Sequence, residues 1–289
     1  PQGQAHKTTL AQIAADQLGV EIDSIEVVTG DTAGVSLGIG TFAARTAVNA
    51  GNSVHLAAIE VATKAKKLAA GMMECVEEDL ELSGGYVRLK SEPDVRKSLR
   101  EIAVKAIGMP GFSMAGGLPP GLEHTSHFTP DQAAYASGTH VAEVEVDIET
   151  GMVKIERYTV VHDCGRVINP LVVDGQVIGG VAHGIGNALL ERMVYDENAQ
   201  PLSMNFGEYL LPLATDVPRV DLVHFETPSP LNPLGIKGAG EGGTIPAIAA
   251  IISAVENALA PFGVEIAEAP ISPQRIVELL GEHALGRTA

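Results

Sequence analysis

The chain has 289 residues, 45% hydrophobic and 19% charged, enough to bury a substantial core and to form two subdomains rather than one. A formal net charge of −17, with no Lys/Arg-rich run to offset it locally, argues against a nucleic-acid partner. The longest apolar stretch, around Ile245 to Val255, reads as too short for a membrane span, and Pro1-Gln2-Gly3-Gln4 lacks the basic and apolar regions of a signal peptide, so a cytoplasmic location is expected.

Leu10, Ile13, Ala14 and Leu18 mark a first helix face, ended by Gly19, and Ile25 to Val28 reads as a short strand. After a loop from Gly30 to Gly40, a stripe from Val54 through Ala58, Val61, Ala65 and Leu68 to Met72 predicts a long helix. A strand near Tyr86 to Leu89 and a helix from Leu99 to Ile107 complete a first subdomain, residues 1–107. Residues 108–138, rich in Gly, Pro and Ser, read as a crossing segment. The second subdomain, residues 139–289, opens with a hairpin, Val141 to Ile148 and Val153 to Val161, whose imperfect alternation predicts a bulge. A loop over Asp163 to Pro170, a glycine-dotted helix from about Asp174 to Arg192 and a strand near Val220 to Phe225 follow. A last helix starts at Ser272-Pro273 and ends by Gly281. The expected class is α+β, or mixed α/β, with two packed subdomains.

Chemistry concentrates in Lys237-Gly238-Ala-Gly240-Glu241-Gly-Gly-Thr244-Ile-Pro246. Four glycines within six residues supply no packing side chains, and such backbone suits a sharp turn or close approach to a ligand. Thr244 as N-cap and Pro246 in the first turn then open a helix, with Ile248, Ile251, Ile252, Val255 and Leu259 on one face. Glu241 lies near the positive end of that helix, where a carboxylate can serve as a base. A flexible surface loop with a solvated glutamate fits the same residues equally. Cys75 and Cys164 are too few and too far apart to hold an iron–sulfur cluster, and Cys164 reads as a small core residue. His124 and His127 read as surface histidines, so any metal is expected to arrive on an organic cofactor.

Six separated segments share an order and spacing: Gln2-Gly3-Gln4; Gly38 to Thr46; Asp163 to Pro170 with Asp174 to Gly186; Pro228-Ser-Pro230; Lys237 to Glu241; and Ser272 to Ile276. Together they resemble the C-terminal half of the molybdenum-cofactor subunit of the xanthine dehydrogenase, aldehyde oxidase and carbon monoxide dehydrogenase family. The resemblance implies a molybdopterin-binding catalytic subunit or half-subunit that oxidises a C–H bond with water as oxygen source. The substrate would be a small molecule: an aldehyde, an N-heterocycle or carbon monoxide. Glu241 matches the family's catalytic base. Gln2, Gly3 and Gln4, then Gly40, Thr41, Phe42, Ala43, Arg45 and Thr46, match cofactor loops, and backbone N–H groups there with Arg45 suit a pyrophosphate. Gln176 and Gly184 match a third contact, and Lys237, Gly238 and Gly240 flank the base. Close helix packing is the alternative for Gly179, Gly180, Gly184 and Gly186, and Lys237 is equally open to a structural or carboxylate-pairing role.

The implied cofactor is molybdopterin with molybdenum, in the cytosine dinucleotide form. Iron–sulfur clusters and FAD would sit on partner subunits, and a further chain would carry the subunit's N-terminal half, which this sequence lacks. The chain is then a split subunit or a domain fragment, inactive without its partners. The alternatives are a scaffold that keeps the fold without cofactor, and a phosphate- or nucleotide-binding oxidoreductase using Gly38-Ile-Gly40, which lacks dinucleotide-binding spacing.

Overall fold

A computed structural model describes residues 1–35, 38–108 and 118–286, with side chains to Gly281. Parts of the expected Gly30–Gly40 loop and of the 108–138 crossing segment therefore lie outside the described residues. The chain is a mixed α/β protein of two compact units, Pro1–Ala134 with Pro228–Ile236, and Tyr135–Thr227 with Lys237–Ala289.

The first unit begins with helix α1 (His6–Leu18), which buries Leu10, Ala11, Ile13 and Ala15. Gly19 ends it in the left-handed conformation, φ 59°, and a Cβ there would lie 2.7 Å from the Leu82 carbonyl oxygen. Only glycine meets both demands. The expected strand at Ile25 to Val28 does not form. These residues follow a 3-10 turn (Ile22–Ser24) and alternate in burial but pair with no strand, and strand propensity without a partner ladder is not a strand. Helix α2 (Asn52–Met73) continues from a π-helical turn, Ala47–Gly51.

Two strands not foreseen complete an antiparallel sheet around β2 (Tyr86–Leu89): β1 (Leu80–Ser83) and β3 (Arg96–Ser98). The β1–β2 turn is Gly84-Gly85, both at positive φ, a recognisable hairpin signal. Helix α3 (Leu99–Ala106) starts at a capping box, with Ser98 Oγ accepting from the Glu101 N–H and the Glu101 carboxylate accepting from the Ser98 N–H. Leu80, Val87, Ile102, Ala106, Ala65 and Ala69 form the core between sheet and helices.

Residues 228–236 join this unit through a buried amide pair. Asn52 Nδ2 donates to the Val48 carbonyl (2.7 Å) and to Asn232 Oδ1 (3.2 Å), while Asn52 Oδ1 accepts from the Leu234 N–H (3.1 Å). Asn232 in turn holds both the N–H and the carbonyl of Ile236. Every polar atom of both amides has a partner, as burial requires.

The second unit opens with β4 (Ser137–Val146) and β5 (Val153–Asp163), an antiparallel hairpin with the expected irregularity, between Glu143 and Val144. Strand β6 (Val220–His224) pairs parallel with β5, so the connection crosses over through helix α4 (Pro170–Ile185). That helix starts four residues earlier than expected because Asn169 and Pro170 are its N-cap and first residue, with Asn169 Oδ1 accepting from the Val172 N–H at 3.1 Å. Its α-helical part ends at Ile185, and a π-helical turn (Gly186–Leu190) carries the rest of the expected span.

Helix α5 (Ile245–Leu259) packs on β4 and α4, burying Ala247, Ile251, Val255 and Leu259. With the 3-10 turn that follows, its apolar run reaches Phe262, 18 residues at mean hydropathy 1.6, so the expectation that it is too short to span a bilayer is corrected on length. Its buried face is nonetheless a core surface of this unit, facing Tyr158, Val177 and Val181. Helix α6 (Pro273–Gly286) passes through Gly281 rather than stopping there.

Candidate active site

The segment from Lys237 to Thr244 leaves the second unit's core and turns directly into α5. Its entry is fixed by an ion pair. Lys237 Nζ lies 2.9 Å from Asp163 Oδ2 and 2.9 Å from Thr227 Oγ1, the two charged side chains being only 14% and 13% exposed. The same carboxylate accepts from the Thr227 hydroxyl and from the Gly165 and Thr227 N–H groups. Burial alone would raise the Asp163 pKa, but the bonds from Thr227, Lys237 and Gly165 outweigh it and hold the carboxyl well below the usual range. The Lys237 N–H also donates to the Cys164 carbonyl, 2.7 Å. The ammonium of Lys237 is thus engaged by a carboxylate.

Two of the glycines beyond it, Gly242 and Gly243, are required for space. Gly240, Gly242 and Gly243 have no positive φ. A Cβ on Gly242 would lie 2.4 Å from His162 Nε2, and one on Gly243 would lie 2.2 Å from the Val177 carbonyl oxygen of α4. Gly180, facing back, would meet the Gly243 Cα at 2.8 Å. The close approach foreseen for this loop is therefore made, at Gly242 and Gly243, to the protein's own core. Gly243→Ala is expected to cost about 2 kcal/mol, since neither backbone can give way without opening the α4 contact; a denaturation midpoint equal to wild type would refute this.

Glu241 rides on this seated backbone. Its carbonyl accepts from the Thr244 and Ile245 N–H groups (3.1 and 3.2 Å), while its side chain is exposed and enters none of the ion pairs among the described residues. Thr244 occupies the N-cap position, yet its hydroxyl donates to the Gly180 carbonyl (3.2 Å) and makes no capping bond. The cap expected from sequence is instead a tie to α4. Pro246 sits in the first turn as expected. Gln176, on α4, brings its Oε1 to 3.9 Å from where a Gly240 Cβ would be. Gly184 faces α5, where a Cβ would lie 2.3 Å from that of Ala247, so in this structure it serves helix packing, while Gly179 is exposed with open space beside it.

Sequence reasoning missed the layer beneath the loop. His140 on β4 bonds Tyr158 Oη through Nδ1 (2.9 Å) and the Gly242 carbonyl through Nε2 (3.1 Å), and His162 lies directly under Gly242. His224 on β6 places Nε2 2.6 Å from Asp174 Oδ1. Burial lowers the pKa of His140 and of His162, and the neighbouring His224 adds to the effect on His162. The three histidines occupy inward positions of three strands, and no local spacing in the sequence links them.

In the first unit, Gln2, Gly3 and Gln4 precede α1, the Gln2 N–H bonding the Gln4 side chain and Gly3 at φ 92°. The loop from Gly40 to Thr46 folds on itself: Arg45 reaches the Gly40 carbonyl (3.4 Å) and stacks on Phe42 at 4.1 Å, and Thr46 bonds Thr41 at 3.3 Å. Ala43 and Ala44 are both left-handed, φ 51° and 49°, at a cost of about 1–2 kcal/mol each. Nε of Arg45 is buried without an acceptor among the described residues. Cys164 is buried, which pushes its thiol up to about 11, as suits a core residue. His124 and His127 are exposed.

Residues 1–218 match the molybdopterin cofactor-binding domain family. The chain belongs to the molybdenum hydroxylase family, as part of a molybdopterin-binding subunit. It is 40% identical to the nicotine 6-hydroxylase large subunit of Paenarthrobacter nicotinovorans over 276 residues, 96% of this chain and 34% of that protein. It is 35% identical to the carbon monoxide dehydrogenase large chain of Hydrogenophaga pseudoflava, over 98% of this chain and 35% of that one. Among solved structures, quinoline 2-oxidoreductase from Pseudomonas putida 86 superposes with TM-score 0.85 at 38% identity, covering 98% of this chain and 36% of that one. The Cu,Mo-CO dehydrogenase gives TM-score 0.87 at 32% identity, covering 99% and 35%. The chain thus spans about a third of the length of these molybdenum hydroxylase relatives.

Proposed function

We propose that this chain forms part of the molybdenum centre of a multi-subunit hydroxylase or dehydrogenase, and that Glu241 is its general base. The carrying observation is an exposed carboxylate, in no ion pair among the described residues, on a glycine loop seated against α4 and His162 and leading straight into α5. The substrate is an aldehyde, an N-heterocycle or carbon monoxide, with water as oxygen source.

The residues present fit the cofactor. Gln2, Gly3, Gln4 and the loop of Gly40, Thr41, Phe42, Ala43, Arg45 and Thr46 would hold molybdopterin in its cytosine dinucleotide form, and the unmet Arg45 Nε together with a strained Ala43-Ala44 backbone suits an anionic ligand. In the second unit, Gln176, Gly238 and Gly240 would offer cofactor contacts of their own beside the base, with Lys237 and Gly184 holding the loop in place through Asp163 and Ala247. When bound, the cofactor supplies a molybdenum that accepts two electrons from the substrate. Glu241 contributes a carboxylate oxygen that takes the proton from the attacking oxygen and then releases it to solvent. The chain's own backbone keeps that carboxylate in place, since the Glu241 carbonyl is tied to the first turn of α5.

Activity requires a chain carrying the N-terminal half of the subunit, an iron–sulfur subunit and an FAD subunit to remove the electrons. Molybdenum analysis of this chain alone and of the complex formed with those partners tests the proposal. Near-stoichiometric metal in the complex is the expected result; a fully assembled complex without molybdenum would overturn it.

A further inference from the structure

The base proposed above sits on a loop whose carbonyl face is gripped from below by one side chain of β4. His140 Nε2 lies 3.1 Å from the Gly242 carbonyl oxygen, and its Nδ1 lies 2.9 Å from Tyr158 Oη. A carbonyl can only accept, so Nε2 must carry the proton; in a neutral ring Nδ1 then accepts, and the tyrosine hydroxyl donates. Tyr158 is completely buried on β5, its ring set edge-on to the imidazole at 5.6 Å. The hydroxyl therefore selects the one tautomer of His140 that can hold the loop. Burial favours this neutral ring, since it lowers the histidine's pKa and pushes the phenol's up.

Gly242 is the residue after Glu241, and its N–H donates to the Ala239 carbonyl at 3.3 Å. Below it His162 fills the space that a Cβ would need, and beyond it Gly243 lies against α4. The hydrogen bond from His140 fixes the orientation of the peptide plane between Gly242 and Gly243. With that plane released, the loop that carries Glu241 loses one of its ties to the sheet.

We propose that His140, held in its Nε2–H tautomer by Tyr158, is the positioning residue for Glu241, fixing the catalytic loop through the Gly242 carbonyl. The inference rests on Glu241 being the base.

The test compares His140→Leu and His140→Gln in the assembled complex, reading amide hydrogen exchange over Gly238 to Ile245 together with kcat and KM. Leucine removes the donor; the glutamine amide restores one toward the Gly242 carbonyl. His140→Leu is expected to speed exchange in this loop about ten-fold, the equivalent of one hydrogen bond, and to lower kcat about ten-fold with KM unchanged. His140→Gln is expected to recover most of both. Unchanged exchange in a folded His140→Leu protein overturns the proposal. Faster exchange with unchanged kcat overturns the positioning role, since a loosened loop would then not disturb the base; failure of Glu241 as the base is read separately, from Glu241→Gln. If His140→Leu does not fold, Tyr158→Phe carries the test: it removes only the hydroxyl that sets the tautomer. Exchange about three-fold faster is then expected, and no change overturns the proposal.

Discussion

Glu241→Gln is expected to lower turnover of the assembled enzyme by about 10²–10⁴-fold while leaving its molybdenum content and thermal midpoint unchanged. The substitution keeps the side chain's size and removes only its capacity to take a proton. Nothing that seats the loop depends on the carboxylate. The loop is held by the Glu241 carbonyl bonding to Thr244 and Ile245, by Thr244 on Gly180, and by Lys237 on Asp163. Stability and cofactor content should therefore be indifferent to the change. A Glu241→Gln enzyme with full turnover would remove the residue from the chemistry; one that lost its molybdenum would make Glu241 a structural or assembly residue instead.

Lys237→Met is expected to cost about 3 kcal/mol of stability. It leaves a largely buried carboxylate that has lost its counter-charge, and among the described residues Asp163 keeps only the Thr227 hydroxyl and two backbone N–H groups as partners. The sign of the pH dependence follows from Asp163. Its folded pKa is depressed below the unfolded value of about 3.9, so the pair's contribution is fully present above that pH and is lost as pH falls. The gap between wild type and Lys237→Met is expected to narrow below about pH 4, by up to about 1.4 kcal/mol per pH unit. Denaturant midpoints at pH 7, 4 and 3 measure it. A constant gap would mean that Lys237 contributes through its aliphatic stem and not through charge.

The periodic elements are legible in the sequence because each carries its own signal. The α2 stripe, the β4–β5 hairpin with its turn at Gly151 and the apolar face of α5 can be read residue by residue. Elements that depend on partners cannot. Ile25 to Val28 has strand composition without a ladder to join, whereas Arg96–Ser98 lacks strand composition but is recruited by Tyr86–Arg88. The α4 boundary falls between the two cases: Asn169-Pro170 reads as loop beside its glycine neighbours, although that pair is itself a helix-start signal.

The site divides in the same way. Glu241 and its glycines stand out as a composition, and the proximity of Gln176 to Gly240 agrees with the motif order. The reason for the glycines is legible only in three dimensions. Gly242 and Gly243 lack side chains because His162 and the backbone of α4 already occupy that space. The histidines below the loop come from three separate strands, with His140, His162 and His224 gathered by register and not by spacing. No local pattern announces such a cluster.

The clasp between Asn52 and Asn232 bears on how the protein is made. The first unit is discontinuous, closed by residues 228–236, about 100 residues beyond its main segment. A ribosome adding roughly 5–20 residues per second delivers that last piece some 5–20 s after Ala134. Throughout that interval the start of α2 holds an amide whose tertiary partners have not been synthesised, and the nascent chain must guard an unfinished surface while the hairpin and α4 of the second unit emerge. Vectorial synthesis thus gives the later unit the chance to fold inside an interruption of the earlier one, and makes the delay itself the period of greatest exposure to chaperones and proteases.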